Sequence, residues 1–139
     1  MIDQGGGGAA SLNLNTEKYI AYCFHSVEGY SAVGSYTGNG NADGTFVYTG
    51  FRPAFILRKG SSFVKDWWMG DSKRSTYNTE SASLYPNKTD AEYTGTGHEL
   101  DWVSNGFKIR NTNSSFNTDG ETYIYIAFAE TPFKYSNAR

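Results

Sequence analysis

Two carboxylates at positions Glu99 and Asp101 have the spacing that a sugar-cleaving site could use. On a β-strand, residues two apart point to the same face, so both carboxylates would lie together. A retaining glycosidase needs two carboxyl groups about 5 Å apart, one as nucleophile and one as acid. The E-x-D-x-x-E pattern of concanavalin-like glycosidases lacks its third acid here, because Ser104 stands at that position. We therefore predict no enzyme and interpret the pair as part of a solvated strand face.

Metal ligands are scarce in this sequence. It contains the histidines His25 and His98 and one cysteine, Cys23, which are too few for a zinc site. Cys23 lies in an apolar run, so we expect it to be buried in the core. The loops 39–43 and 117–121 carry oxygen donors that could bind Ca²⁺, although neither has the ordered spacing of a twelve-residue calcium loop. The sequence predicts no metal and no cofactor, with calcium as the open alternative in these loops.

The segment from Arg52 to Arg74 combines aromatic side chains with half of the lysines and arginines of the chain. Trp67 and Trp68 are adjacent, so on a strand their rings point to opposite faces. An exposed ring beside charged and amide groups is a usual platform for a sugar. The alternative is that a neighbouring sheet or subunit covers both rings. The candidate glycan-binding residues are Arg58, Lys65, Trp67, Trp68, Asp71 and Arg74.

The elements that must position these residues are short strands. Aromatic residues make up 17% of the chain and favour pleated sheets, while 16 glycines and many Asn, Asp, Ser and Thr residues supply turns. Length and turn spacing predict one all-β domain, an antiparallel β-sandwich of the jelly-roll or concanavalin-like kind, with at most a helical turn in 71–80. The predicted strands are 19–25, 30–36, 45–48, 54–58, 63–69, 83–85, 99–103, 106–110 and 123–128.

Charge and hydropathy exclude two classes of partner. The formal net charge of -2 gives no reason to expect nucleic acid, and no stretch approaches the roughly 20 apolar residues of a membrane span. The start MIDQGGGGAAS lacks the basic and apolar regions of a signal peptide, and its glycines predict a flexible lead over residues 1–14. We expect neither nucleic-acid binding nor membrane insertion.

The two ends of the sequence are similar. NTEKYIAYCFHS begins at Asn15, and NTDGETYIYIAFAE begins at Asn117. Their separation is about one β-sandwich domain, although shared composition is an alternative explanation of the match. We interpret residues 15–28 as the closing strand of a preceding unit and residues 29–139 as one complete module. A strand that is apolar on both faces invites aggregation if exposed, so we expect residues 19–24 to be inserted into the sheet of this domain or of a partner subunit.

The run YIAYCFHSVEGYSAVGSYTGNGNADGTFVYTGFRPAFILRK is followed by DSKR, YPN, SNGFKIR and the closing TYIYIAFAETPFKYSNAR. In this order and wording, the chain from Tyr19 to Arg139 resembles the C-terminal module of tail-fibre or tail proteins of marine tailed bacteriophages. The resemblance implies a lectin-like β-sandwich, an extracellular location on the virion tail fibre, and modules that occur in tandem. No catalytic or binding residue is carried over with it.

Three functions follow as expectations. The first is a non-enzymatic adhesin at the tip of a tail fibre, which binds a glycan or protein of the host cell surface. The second is a structural module without a ligand, whose exposed aromatic residues are buried in a homo-oligomer such as a trimer. The third is a depolymerase that degrades surface polysaccharide.

Overall fold

The computed structural model describes residues 18–75 and 77–132. Within these ranges, the chain forms seven strands and one short helix. The elements in chain order are β1 (Ser31–Thr37), β2 (Phe46–Tyr48), β3 (Pro53–Gly60), β4 (Trp68–Asp71), β5 (Leu100–Val103), β6 (Gly106–Ile109), α1 (Ser114–Asn117) and β7 (Thr122–Ala129).

The strands form two antiparallel sheets. Sheet A has the order β1-β7-β3-β4, and sheet B has the order β2-β6-β5. Strands β1 and β7, which lie at opposite ends of the described chain, are neighbours in sheet A. The prediction of an all-β antiparallel sandwich is confirmed.

Aromatic side chains fill the space between the sheets. Tyr36 and Tyr123 of sheet A stack with ring centroids 4.9 Å apart, and Phe107 of sheet B meets Tyr125 edge to face at 5.5 Å. Gly34 lies opposite Tyr125 in the β1/β7 register, and a side chain at Gly34 would collide with the Tyr125 ring. The core is therefore built from large rings that require a small residue beside them.

One side of the sandwich is closed by the chain between β4 and β5. Backbone bridges pair Leu84 with Met69 of β4 and Glu80 with Leu100 of β5. On the opposite side, β1 and β2 are the edge strands of their sheets. Phe46 and Tyr48 of β2 are exposed there. The two sides of the domain thus differ in how much of their strand edges is covered.

The predicted strand 19–25 is wrong, because residues 18–26 form no strand and are exposed. A hairpin begins at the bridge between Val27 and Ser31, but it does not continue. The Ser31 hydroxyl donates to the His25 carbonyl oxygen, and the Ser26 hydroxyl accepts from the Val33 N–H. These side-chain hydroxyls bond to backbone groups that would pair with each other if the hairpin continued. The prediction of a buried Cys23 is wrong for the same reason.

Two other predicted elements are shifted. Strand β4 begins only at Trp68, so most of the predicted strand 63–69 is irregular. The segment 71–80, where at most a helical turn was expected, has a turn at 72–74 and no helix among its described residues, and the one short helix is α1. Asn113 caps it by accepting from the Ser115 N–H, which is ordinary helix-start chemistry. The Gly-rich lead 1–14 lies outside the described residues.

None of the helices in the described ranges is long and apolar enough to cross a membrane.

Candidate functional site

The face of sheet A that points away from the core carries one row of apolar residues that crosses all four strands. The β-sheet registers place Val33, Ile126, Leu57 and Met69 side by side, one from each strand. We call these four residues the central row. Antiparallel sheets with one open face usually alternate apolar and polar residues, so a solvent-facing row without a polar side chain is unusual.

Two further rows flank the central row. One contains Ser31, Phe128 and Phe55 and ends at Asp71, and the other contains Ser35, Ile124 and Lys59. Val33 and Ile124 are each 40% exposed, and the remaining apolar side chains are half-buried. We define the outer face as these three rows together with Trp67.

Trp67 lies at the border of the outer face, directly before β4. It lines a shallow, almost wholly apolar cleft of about 230 Å³ together with Val33, Ile124 and Ile126. The Lys59 ammonium lies 5.9 Å from the centre of the Trp67 ring, within the range of a cation–π contact. The neighbouring Trp68 points the other way, so the prediction that the two rings face opposite sides is confirmed.

Trp68 and Arg58 lie in the core, and this corrects their assignment to a glycan platform. Each is 1% exposed. The guanidinium of Arg58 is held between two rings, 4.1 Å from the centre of Trp68 and 4.2 Å from the centre of Phe116. The Trp68 indole N–H donates to the hydroxyl of the buried Ser83. Neither side chain can stack on a ligand at the surface of this structure.

The other predicted platform residues are not gathered into one site. Lys65 donates to the Ser114 hydroxyl of α1. Asp71 forms an ion pair with Arg74 at 2.6 Å, and Arg74 reaches Glu92 at 3.0 Å. Of the six predicted residues, Trp67 and Asp71 contribute to the outer face.

Arg58 is a buried cation that forms no ion pair within the described residues. Its Nη1 donates to the Tyr36 hydroxyl at 3.4 Å, and its Nε and Nη2 have no hydrogen-bond partner there. Burial lowers the pKa of this guanidinium and raises the pKa of the Tyr36 hydroxyl. The positive charge is therefore stabilised mainly by the faces of two aromatic rings.

His98 and Ser83 form a pair that resembles a catalytic base beside a nucleophile. The His98 Nδ1 lies 3.1 Å from the Ser83 hydroxyl, and its Nε2 lies 3.3 Å from the Tyr85 hydroxyl. However, Ser83 is fully buried and its hydroxyl already accepts from Trp68. No substrate can reach this hydroxyl in the folded domain, so the pair packs the core.

We expect the domain to lose stability as the pH falls below 6.5, because burial and the charge of Arg58 lower the pKa of His98 to about 4. The unfolded chain binds a proton at His98 below pH 6.5, whereas the folded domain does so only near pH 4. The unfolding free energy should fall by about 2 kcal/mol between pH 7 and pH 5. Urea unfolding at several pH values measures this loss.

The matched control for this pH dependence is His98→Gln, which keeps a hydrogen-bonding side chain but cannot titrate in this range. Its unfolding free energy should change little between pH 7 and pH 5. Hydrogen bonds and ion pairs lower the pKa values of Asp43, Asp66 and Glu130, so protonation of these carboxylates affects stability only at lower pH. If the unfolding free energy of His98→Gln falls between pH 7 and pH 5 as much as that of the wild type, His98 is not the source of the pH dependence.

The candidate catalytic carboxylates are each held by donors of the protein. Glu99 accepts from the Gly97 N–H through both oxygens, at 2.9 Å and 2.8 Å. Asp101 forms an ion pair with Arg110 at 3.3 Å. Glu99 and Arg110 line an open cleft of about 480 Å³. These contacts engage both carboxylates within the protein, so neither is a free nucleophile.

Several side-chain oxygens of the two candidate calcium loops are engaged by other groups of the protein. Asn39 accepts from Asn41 and from the buried Asn117, and Asp43 pairs with Lys108 at 2.7 Å and with Arg110. Asn117, the last residue of α1, therefore connects this helix to the first loop by its hydrogen bond to Asn39. Across 18–75 and 77–132, no cluster of three His, Cys, Asp or Glu residues could hold a metal ion.

The outer face was not among the sequence predictions, although a signal for it exists. Strands β3 and β7 are apolar at consecutive positions, and this pattern indicates a strand that is covered on both faces. The core covers one face, and the described chain leaves the other one partly exposed. The apolar residues at the outward positions of β3 and β7 are thus the feature of the sequence that could have predicted this surface.

Comparison with known proteins gives one family. No curated protein and no solved structure matches this chain. A family described as a domain of unknown function (DUF7483) matches residues 4–132, which include both sheets and the exposed segment before β1. The match spans nearly the whole sequence, and the chain belongs to this family of domains of unknown function.

Proposed function

We propose that this domain is a non-enzymatic module of a bacteriophage virion fibre and that its outer face is an assembly surface. The observation that carries the proposal is the central row of four apolar residues, one on each strand of sheet A. The row supports the proposal because contiguous apolar patches on soluble domains are often functional surfaces.

The setting on the virion fibre, outside the cell, rests on the sequence resemblance to tail-fibre modules. The geometry supports assembly over the other two functions. Burial of Trp68 and Arg58 removes two members of the predicted glycan platform. The fixed partners of Glu99 and Asp101 give no support to polysaccharide cleavage.

Adhesion to a host glycan or protein is the second candidate function, and Trp67 is the observation that favours it. Its ring borders an open cleft and lies near the ammonium of Lys59. A sugar could stack on this ring while the ammonium contacts its hydroxyls. In a glycan array, specific binding that Trp67→Ala abolishes would support adhesion, with Val64→Ala as a control because Val64 is 97% exposed.

The fibre function is tested on virus particles. Phage particles from cells that express this chain are purified by density gradient, and mass spectrometry measures the copy number of the chain per particle. Antibodies to the domain then locate it by electron microscopy. We expect several copies per particle, with label on the fibres. A chain that is absent from purified particles but abundant in the lysate would overturn the proposal.

A further inference from the structure

We infer that an uncharged glycan binds to the face of sheet B that points away from the core. We call this surface, formed by the outward side chains of β2, β5 and β6, the sheet B face. It goes beyond the proposed assembly function, because the outer face belongs to the other sheet. It also differs from the adhesion site considered at Trp67, which borders sheet A. Two exposed rings, a group of paired charges and an open cleft are continuous on the sheet B face.

The two rings belong to the edge strand β2. Phe46 and Tyr48 lie two residues apart, so both point outward, and the buried Val47 between them points into the core. They are 45% and 67% exposed. The Phe46 ring lies over Gly106 of β6, where an added β-carbon would be 3.1 Å from the ring. Strand β6 therefore supports the Phe46 ring, and part of both rings stays open for a sugar to stack on.

Charged side chains continue the face across the sheet. The register places Lys108 of β6 beside Phe46, and Asp101 of β5 beside Lys108. The Lys108 ammonium and the Arg110 guanidinium both contact the Asp43 Oδ1, at 2.7 Å and 2.9 Å. Arg110 also pairs with Asp101 at 3.3 Å. Each of these groups is held by another and is still partly exposed, so they offer donors and acceptors to sugar hydroxyls with little further ordering.

The open cleft of about 480 Å³ lies where β5 begins and β6 ends, and it extends the face in that direction. Its lining includes Asp43, Thr79, Glu99 and Arg110. Asp43 and Arg110 belong to the charged group as well, so the cleft and the charged group form one surface. Ligand sites in proteins usually have volumes of about 300 to 1,000 Å³, and this cleft is within that range.

Size and charge favour a glycan over other partners. The face spans three strands, about 10 Å, and the four residue steps from Tyr48 to Gly44, about 13 Å, or roughly 130 Å². A stable protein interface buries about 800 Å² per partner, so this face suits a small ligand. Its two cations and three carboxylates leave one net negative charge, which disfavours an anionic ligand. A ligand with C–H faces for the rings and neutral hydroxyls for the paired charges is a sugar.

The test is binding of the 139-residue chain to an array of neutral and acidic bacterial oligosaccharides, followed by titration calorimetry with the neutral oligosaccharides that bind. Tyr48→Ala removes the more exposed ring and should weaken binding about tenfold or more. Asp101→Asn removes a charged acceptor and should weaken binding about fivefold. Tyr22→Ala is the matched control, because Tyr22 is an exposed tyrosine outside sheet B, and its affinity should equal that of the wild type. Circular dichroism verifies that the variants are folded.

NMR titration with the same neutral oligosaccharides locates the site. Backbone amide signals of β2 and β6 should shift, and those of β3 and β7 should stay in place. The inference is overturned if no array glycan binds, if only acidic glycans bind, or if the shifts are confined to sheet A. It is also overturned if Trp67→Ala weakens binding and Tyr48→Ala does not, because the glycan then binds at the border of the outer face.

Discussion

Trp68→Ala is expected to lower the free energy of unfolding by about 3 to 5 kcal/mol, the range for removing a fully buried large aromatic ring. Trp68 contacts Phe116 edge to face, lies against the guanidinium of Arg58 and donates its indole N–H to Ser83. It also covers Gly70 so closely that a side chain there would meet its ring. Urea unfolding monitored by circular dichroism at pH 7 measures the loss.

Trp67→Ala is the matched control for this prediction, because it removes the same ring one residue earlier. Trp67 is half-buried at the border of the outer face, so its truncation should cost about 1 kcal/mol or less in the monomer. The two variants thus separate a core tryptophan from a surface tryptophan. Equal losses of stability would contradict the placement of the two rings on opposite sides of sheet A.

The architecture of the domain could be predicted from local chemistry. Turn pairs such as Asn105-Gly106 mark the ends of strands, and aromatic and β-branched residues fill the stretches between them. Strands β1, β3 and β7 accordingly lie within one or two residues of their predicted bounds. The adjacent positions of Trp67 and Trp68 likewise predicted that their rings point to opposite faces, although not which ring would lie in the core.

Features that depend on partners distant in sequence could not be predicted. Residues 19–24 have the apolar pattern of β7, yet two serine hydroxyls take the hydrogen bonds that would extend the hairpin. Arg58 reads as a surface cation, yet Trp68 and Phe116 close over it. Periodicity identifies a strand and its faces, but it does not indicate which ring will cover a charge.

Arg58→Met is expected to raise the free energy of unfolding by about 1 to 3 kcal/mol. The guanidinium is fully buried, makes a single long hydrogen bond to Tyr36, and leaves Nε and Nη2 without partners among the described residues. Its desolvation, with two nitrogens unpaired, costs several kcal/mol, and two ring contacts of about 2 kcal/mol each offset only part of this cost. Methionine fills a similar volume, keeps contact with both rings and carries no charge.

Arg58→Lys is the control that retains the charge and loses the planar group between the rings. It should be less stable than the wild type, because an ammonium is more strongly hydrated and stacks less well than a guanidinium. Urea unfolding at pH 7 compares the three proteins. If methionine destabilises the domain by more than about 2 kcal/mol, the ring contacts of Arg58 outweigh its desolvation and our account of this residue is wrong.

The same substitution gives an independent signal at His98, since the charge of Arg58 is one of the two causes that lower the pKa of this histidine. In Arg58→Met, the pKa of His98 should rise above 4 but stay below 6.5, because burial still disfavours the imidazolium. NMR titration of the His98 ring measures it. As the pKa of folded His98 rises, the loss of unfolding free energy between pH 7 and pH 5 should become smaller, because the folded and unfolded domains then differ less in proton binding. If the pKa of His98 changes but the loss of unfolding free energy between pH 7 and pH 5 does not, another group controls the pH dependence.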